Sequence, residues 1–197
     1  PLDRRFQDPT PAIVADLKKD YHFARGGHRG ELVSLSRYPI VSSQEHDLRG
    51  YSPCLEIIVD YKGEKLRFLN VHVLTGDPKG ILKKGPHGRT AYLNVTAQTR
   101  REQAAALLEV IAQSELPTLL VGDFNSPPSS RLYRDLSAKL NDSFALKGTG
   151  FGLTYSVDRP LWRIDYLWAS PTLGVEGCWV EPCQLSDHKP LVGRFRW

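Results

Sequence analysis

Thr118-Leu119-Leu120-Val121 is an unbroken apolar run, and it leads directly into Gly122-Asp123-Phe124-Asn125. A strand with no polar alternation has no face that water would accept, so it belongs in a sheet covered on both sides. It also delivers two polar side chains, Asp123 and Asn125, at the point where it leaves the core. Three more polar clusters sit at the ends of strand-like apolar runs: Asn70-Val71-His72, Arg163-Ile164-Asp165-Tyr166, and Ser186-Asp187-His188 ahead of Leu191 to Phe195. A site built at one edge of a packed β-sheet core accounts for all four.

The other segments supply the sheet's neighbours. Thr10-Pro11-Ala12 opens a short amphipathic helix with Ile13, Val14 and Leu17 on one face. Gly26 to Gly30 reads as a loop, and Leu32 to Ser36 as a strand stopped by Tyr38-Pro39. Cys54 to Tyr61 and Lys65 to Val73 are strand runs joined by Lys62-Gly63, a hairpin signal. Residues 75–95 form a long polar connection with Lys79, Lys83, Lys84, His87 and Arg89. Thr99 and Glu102 are placed as a capping box for a helix carrying Ala104 to Ile111, which Pro117 ends. A short helix over 131–140, a Gly-rich loop over 147–152, and strands over 163–169, 174–180 and 190–196 complete the chain. Mixed strands with few helices between them predict an α+β or layered arrangement, not a doubly wound sheet.

The 197 residues are enough for one domain, 1–197, to bury a core without disulfide staples. Cys54, Cys178 and Cys183 match no zinc spacing and are expected to be reduced thiols. No apolar run approaches the roughly 20 residues of a membrane span. A net charge of +4 tilts the chain mildly towards phosphate-bearing partners. A soluble protein is expected, with the cytoplasm favoured and the compartment otherwise left open.

The acids and histidines carry the chemistry. A single aspartate at a strand end is usually a turn former or a helix cap. Asp123, Asp165 and Asp187 together, with His72, His188 and Asn125, make an oxygen-rich set that suits Mg²⁺ or Mn²⁺ better than zinc. Asp165 is a candidate to fix the tautomer of His188, which would then serve as a general base or as a positive group facing a phosphate. His22, His28, His46 and His87 read as surface residues. Trp162 and Trp179 are expected to pack inside the sandwich, with membrane contact as the alternative.

These four clusters, in this order, resemble the endonuclease/exonuclease/phosphatase superfamily, which includes pancreatic deoxyribonuclease, apurinic endonucleases, neutral sphingomyelinases and inositol-polyphosphate phosphatases. The similarity covers residues 12–197 and includes Leu35-Ser36-Arg37-Tyr38-Pro39-Ile40 and the helix bearing Arg101 and Gln103. It implies a four-layered α/β/β/α sandwich and metal-assisted, in-line hydrolysis of a phosphate ester. Under it, Asp123 would deprotonate the attacking water and share the metal with Asp187, and Asn125 would hold the water or the phosphate. His188 would contact the phosphate and Asp165 would orient His188. His72 matches the branch resembling pancreatic deoxyribonuclease and the sphingomyelinases, not the apurinic endonucleases, and Glu31 is a candidate to orient it.

One departure stands out. The family pattern begins with a strand carrying Asn and a second ending in Gln-Glu, whose Glu is a metal ligand; neither precedes Leu32, and Gln44-Glu45 reads as a coincidental loop. The expectation is an N-terminally truncated sandwich with weakened metal affinity and a homodimer through the truncated sheet edge. Nucleic acid is the expected substrate. The alternatives are a lipid or small-molecule phosphate, and a truncated, inactive phosphate-binding domain.

Overall fold

The computed structural model of the chain describes residues 20–27, 30–49, 53–74, 85–158 and 161–196. Its centre is a six-stranded sheet in the order β3-β4-β5-β6-β8-β7. The strands are β3 (Ile40–Asp47), β4 (Pro53–Tyr61), β5 (Glu64–His72), β6 (Thr118–Asp123), β7 (Asn141–Asp142) and β8 (Asp165–Ala169). β4 and β5 join through the expected hairpin turn. Lys62 and Gly63 both take positive φ, 56° and 94°, the conformation of a type I′ turn that matches strand twist. Asp60 Oδ1 accepts the Gly63 N–H at 2.7 Å.

β5 and β6 run parallel, so a crossover must join them, and helix α1 (Pro86–Ile111) provides it. Ala104, Ala106, Leu107 and Val110 of α1 pack on Leu69, Val71, Leu120, Tyr166 and Trp168 of the sheet. Helix α2 (Arg131–Ser137) adds Leu132 and Leu136 to the same core, and its cap Ser130 accepts the Tyr133 N–H. A five-residue helix, α3 (Ser143–Lys147), is capped by Asp142.

The opposite face carries two hairpins. β1 (His22–Gly26) with β2 (Leu32–Ser36) packs Ala24 and Leu32 on Leu55, Ile57 and Val59. β9 (Gly174–Val180) with β10 (Leu191–Arg196) brings Val175 and Phe195 against Leu119, Ala169 and Val121. Among the described residues the hairpins form two separate two-stranded sheets, so this second β layer is split. The architecture is α+β, as expected, and the helix expected over residues 10–17 lies outside the described residues.

Four sequence readings are corrected. The connection expected over 75–95 is helical from Pro86 onward; Gly85 is the N-cap and Pro86 occupies a first-turn position. The first turns of α1 face solvent and carry no apolar stripe, which is why their periodicity is silent. Thr99 therefore sits inside the helix, where its hydroxyl donates to Val95 O at 3.0 Å and caps nothing. Gln44-Glu45 is no loop but part of β3, an edge strand paired through Glu56 and Leu55; its exposed Ser-Ser-Gln-Glu suits an edge. His46 is not a surface residue either. Its Nε2 lies 2.7 Å from Glu56, which also accepts from fully buried Arg67 at 2.7 Å. Arg67 in turn donates to the Val110 and Ile111 carbonyls, fastening β3, β4 and β5 to the end of α1. The three cysteines are free thiols, as expected.

Candidate active site

Strand register assembles the site. His72 pairs with Asp123 across β5–β6, and Asp123 pairs with Asp165 across β6–β8. Three residues from distant parts of the sequence thus stand in one row on adjacent strands. Residues in register on neighbouring strands project from the same face. This row looks towards the split layer, because its strand neighbours Leu69, Val71, Leu120, Tyr166 and Trp168 fill the helix side. Gly122 is indispensable to the row. Its φ is +137°, and a Cβ there would stand 1.9 Å from Val71 O, so only glycine lets β6 lie so close to β5 at this point.

His188 completes the group from the C-terminal hairpin. Its Nδ1 lies 2.9 Å from Asp165 Oδ2, and its Nε2 lies 3.9 Å from Asp123 Oδ2. His72 Nε2 approaches the same Asp123 oxygen at 3.8 Å from the other side. The Asp123 and Asp165 side chains are 18% and 19% exposed, that of His72 is 49% exposed, and a cleft of about 390 Å³ opens onto the row between Leu167 and Leu191.

Asn125 holds the central carboxylate. Its backbone N–H donates to Asp123 Oδ1 at 2.7 Å, and its Nδ2 lies 3.0 Å from Oδ2 and 2.9 Å from Val73 O. The left-handed φ of Asn125, +46°, folds the amide back over Asp123, a conformation asparagine tolerates better than most residues. Burial pushes the Asp123 carboxyl above its ordinary range and Asp165 adds to that, while the Asn125 N–H and both histidines oppose it. For His188, burial pulls the imidazole down, but the Asp165 hydrogen bond and the charges of Asp165, Asp123 and Asp187 more than offset it. The net result is a carboxylate more basic than usual beside an imidazole that holds its proton more tightly than usual.

The structure brings His72, Asp123, Asn125, Asp165 and His188 together. Asp187 is exposed at the rim, with Ser186 Oγ 3.4 Å from its carboxylate. Glu31 lies in the turn between β1 and β2, its carboxylate folded against Gly27. The α1 residues that reach the site's backbone are Arg100 and Gln103: Arg100 Nε donates to Leu74 O at 3.2 Å, and Gln103 Oε1 accepts the Leu74 N–H. Arg101 bonds Gln98 on the helix surface. Sequence reasoning missed Tyr155, whose ring centroid lies 4.8 Å from that of His188, and buried Thr154, whose Oγ1 accepts from Asp165 N at 3.4 Å. The only trace of them in the sequence is the aromatic and hydroxyl pair preceding the Arg-Ile-Asp-Tyr cluster. Arg163 of that cluster is structural. It pairs with Asp142 at 2.8 Å and lies over the rings of Tyr133, Phe144 and Tyr166.

A model described as the endonuclease/exonuclease/phosphatase family matches residues 3–188. The chain belongs to this family. No curated protein matches the sequence. Among solved structures, the endonuclease/exonuclease/phosphatase of Bacteroides vulgatus is similar over 97% of this chain and 81% of its own, at 17% identity and a TM-score of 0.72. A mannosyl-6-phosphatase of Bacteroides thetaiotaomicron covers 93% and 82%, at 18% identity and 0.70. The human nocturnin catalytic domain, solved with a bound sulfate anion, covers 99% and 78%, at 17% identity and 0.66. At these identities the likeness establishes the fold, and membership of the family establishes the general chemistry, hydrolysis of phosphate esters.

Family members are generally dependent on a divalent metal, and the residues present fit one. Asp123, Asp165 and His188 offer ligand atoms all within 4.8 Å of one another. Two half-buried carboxylates in register repel each other, and a small hard cation among oxygen donors relieves that repulsion. No helix among the described residues is long and apolar enough to cross a membrane.

Proposed function

We propose that this family member is a divalent-metal-dependent phosphodiesterase acting on nucleic acid. The observation that carries the reading is the in-register row His72–Asp123–Asp165, completed by His188 on Asp165. Asp123, oriented by Asn125, accepts a proton from the attacking water. Asp165 accepts a hydrogen bond from the Nδ1–H of His188, which leaves the Nε2–H to meet a phosphoryl oxygen in the cleft. His72 faces the phosphate from the opposite side of Asp123. Mg²⁺ or Mn²⁺ would be held at Asp123, the member of the Asp123–Asp165–His188 group left free by the Asp165–His188 pair, with Asp187 of the rim as the further ligand, and would polarise the phosphoryl oxygen and stabilise the departing alkoxide.

The nucleic-acid assignment draws on the net charge of +4. It also draws on a groove between α1 and α2 lined by Arg100, Arg101 and Arg131, in keeping with a polyanion that crosses the molecule. A second copy of this chain is the partner we assign to the split layer, because β2 and β10 each pair on one side only among the described residues.

Nicking of supercoiled plasmid with Mg²⁺ or Mn²⁺ tests the reading. Activity should vanish with chelator, and Asp123→Ala should lower it by at least about 10³-fold, the order expected when a positioned base and its charge are both lost. Nicking that survives Asp123→Ala would refute the assignment. A wild-type chain that cuts no nucleic acid but hydrolyses a lipid or small phosphate ester would transfer the site to that substrate.

A further inference from the structure

The segment before Asp165 carries a feature that hydrolysis itself does not use. Tyr155 forms antiparallel bridges to two residues at once, Trp162 on one side and His188 on the other. The first is a full pair, with Trp162 N donating to Tyr155 O at 2.8 Å and Tyr155 N to Trp162 O at 3.0 Å. The second is flanked by Lys189 N to Thr154 O at 2.8 Å and Val157 N to Asp187 O at 2.9 Å. Residues directly opposite on antiparallel strands project to the same face. Tyr155 therefore shares a face with both partners: its ring centroid lies 4.8 Å from that of His188, and Trp162 is the next residue across, on the side away from the catalytic imidazole.

Trp162 exposes 53% of its surface, whereas Trp168, six residues on, is fully buried. The sequence expectation that Trp162 packs inside the sandwich is thus overturned, and Trp179, at 36%, is exposed as well. Its chain neighbour Leu161 is 71% exposed. A large ring left in water, fixed by backbone pairing and level with a catalytic residue, is a surface for a flat apolar group that arrives with the substrate.

We infer that Trp162 is a nucleobase-stacking subsite for the nucleotide beside the scissile phosphate; this deepens the nucleic-acid reading and rests on it. A base is favoured over an acyl chain for two reasons. Trp162 is aromatic, and stacking on such rings tolerates any base. The cleft beside His188 sets Asp123, Asp165, Ser186 and Lys189 among the apolar Val121, Leu167, Pro190 and Leu191, and its polar members suit a sugar-phosphate, whereas an acyl chain would leave them unpaired.

The test measures anisotropy of a fluorescein-labelled single-stranded oligodeoxynucleotide binding to the full chain in chelator, and then its cleavage with Mn²⁺. Trp162→Ala should weaken binding about 10-fold, within the range measured for a stacked base. Trp162→Phe should retain most of the affinity, and Trp162→Leu should not. Wild-type enzyme should also cut more slowly beside a single abasic residue than beside a base, a preference that Trp162→Ala erases; circular dichroism of each variant excludes misfolding. Equal affinity in Trp162→Ala, or full affinity in Trp162→Leu, overturns the inference. So does an oligonucleotide-insensitive Trp162 whose emission shifts to the blue on phosphatidylcholine–phosphatidylserine vesicles, which would assign the rim to lipid. Cutting by a wild type whose base preference survives Trp162→Ala defeats the stacking alone. Trp162-dependent binding without cutting under any metal defeats the nuclease reading and leaves the subsite standing.

Discussion

The two faces of the six-stranded sheet are finished differently. On one face α1 and α2 close a continuous core from Leu48 to Trp168. On the other, two hairpins that do not pair with each other among the described residues cover the flanks, and a cleft opens over Asp123, Asp165 and Leu167 beside β10. Alternate residues of the same strands serve the two purposes: Leu120 and Trp168 are spent on packing, while Asp123 and Asp165 stay accessible. A site of like charges could not sit within a close-packed core without large desolvation costs. The incomplete layer supplies the accessibility, and the complete layer supplies the rigidity that keeps the row in register.

If that division is right, the largest loss of stability should follow from breaking the fastening on the closed face. Glu56 joins buried Arg67 and His46. Glu56→Gln leaves Arg67 without its counter-charge and should cost about 3–5 kcal/mol at neutral pH, read by denaturant unfolding. The pH dependence follows from the carboxyl itself. Burial would raise it, but hydrogen bonds from Arg67 and His46 and their charges hold it below its ordinary value. A depressed folded-state value means stabilisation that is complete above the unfolded value of about 4.3 and lost as pH falls through the folded one. The gap between wild type and Glu56→Gln should therefore shrink below about pH 4. A gap that stays constant down to acid unfolding would show that the glutamate contributes no charge.

Neighbouring leucines of β6 sharpen the comparison. Leu120 is wholly buried under the helices, and Leu119 faces the β9–β10 hairpin beside half-buried Val121 and Phe68. The same truncation should cost roughly 4 kcal/mol for Leu120→Ala and roughly 2 kcal/mol for Leu119→Ala, because a hairpin held on one side can settle into the space and a closed core cannot. Equal costs would mean that the split layer packs as tightly as the helical one.

How far the sequence foretold this follows the same division. The site was legible because its residues are polar exceptions at the ends of apolar runs; the close approach of β6 to β5 at Gly122 was not read from the sequence and shows only in the structure. The register that aligns His72, Asp123 and Asp165 was not legible either, since each residue's cluster names a strand end but no partner. β3 was missed because an edge strand can leave Ser42, Ser43, Gln44 and Glu45 all exposed without cost, and so reads as loop. The first turns of α1 escaped for a related reason: solvent surrounds them and no apolar period is left to detect. The Glu56–Arg67–His46 group was hidden because each member is one polar residue in an unremarkable strand, and only tertiary pairing gives it meaning.

The smallest effect concerns the open edges themselves. An unpaired strand edge is a template for another strand, yet β10, which pairs on one side only among the described residues, carries exposed Arg194 and Arg196, the latter 4.0 Å from Glu176 of β9, and charges on an edge strand discourage pairing. Two copies meeting there bring like charges together, so their association should be weak and should strengthen as salt screens the repulsion. Binding of nucleic acid has the opposite sign, because it releases counterions and weakens with salt. Light scattering across a concentration series at low and high salt separates the two. Mass rising with both concentration and salt is the expected result, whereas a monomer under every condition would mean that the split layer is satisfied within one chain and that its gap serves the substrate alone.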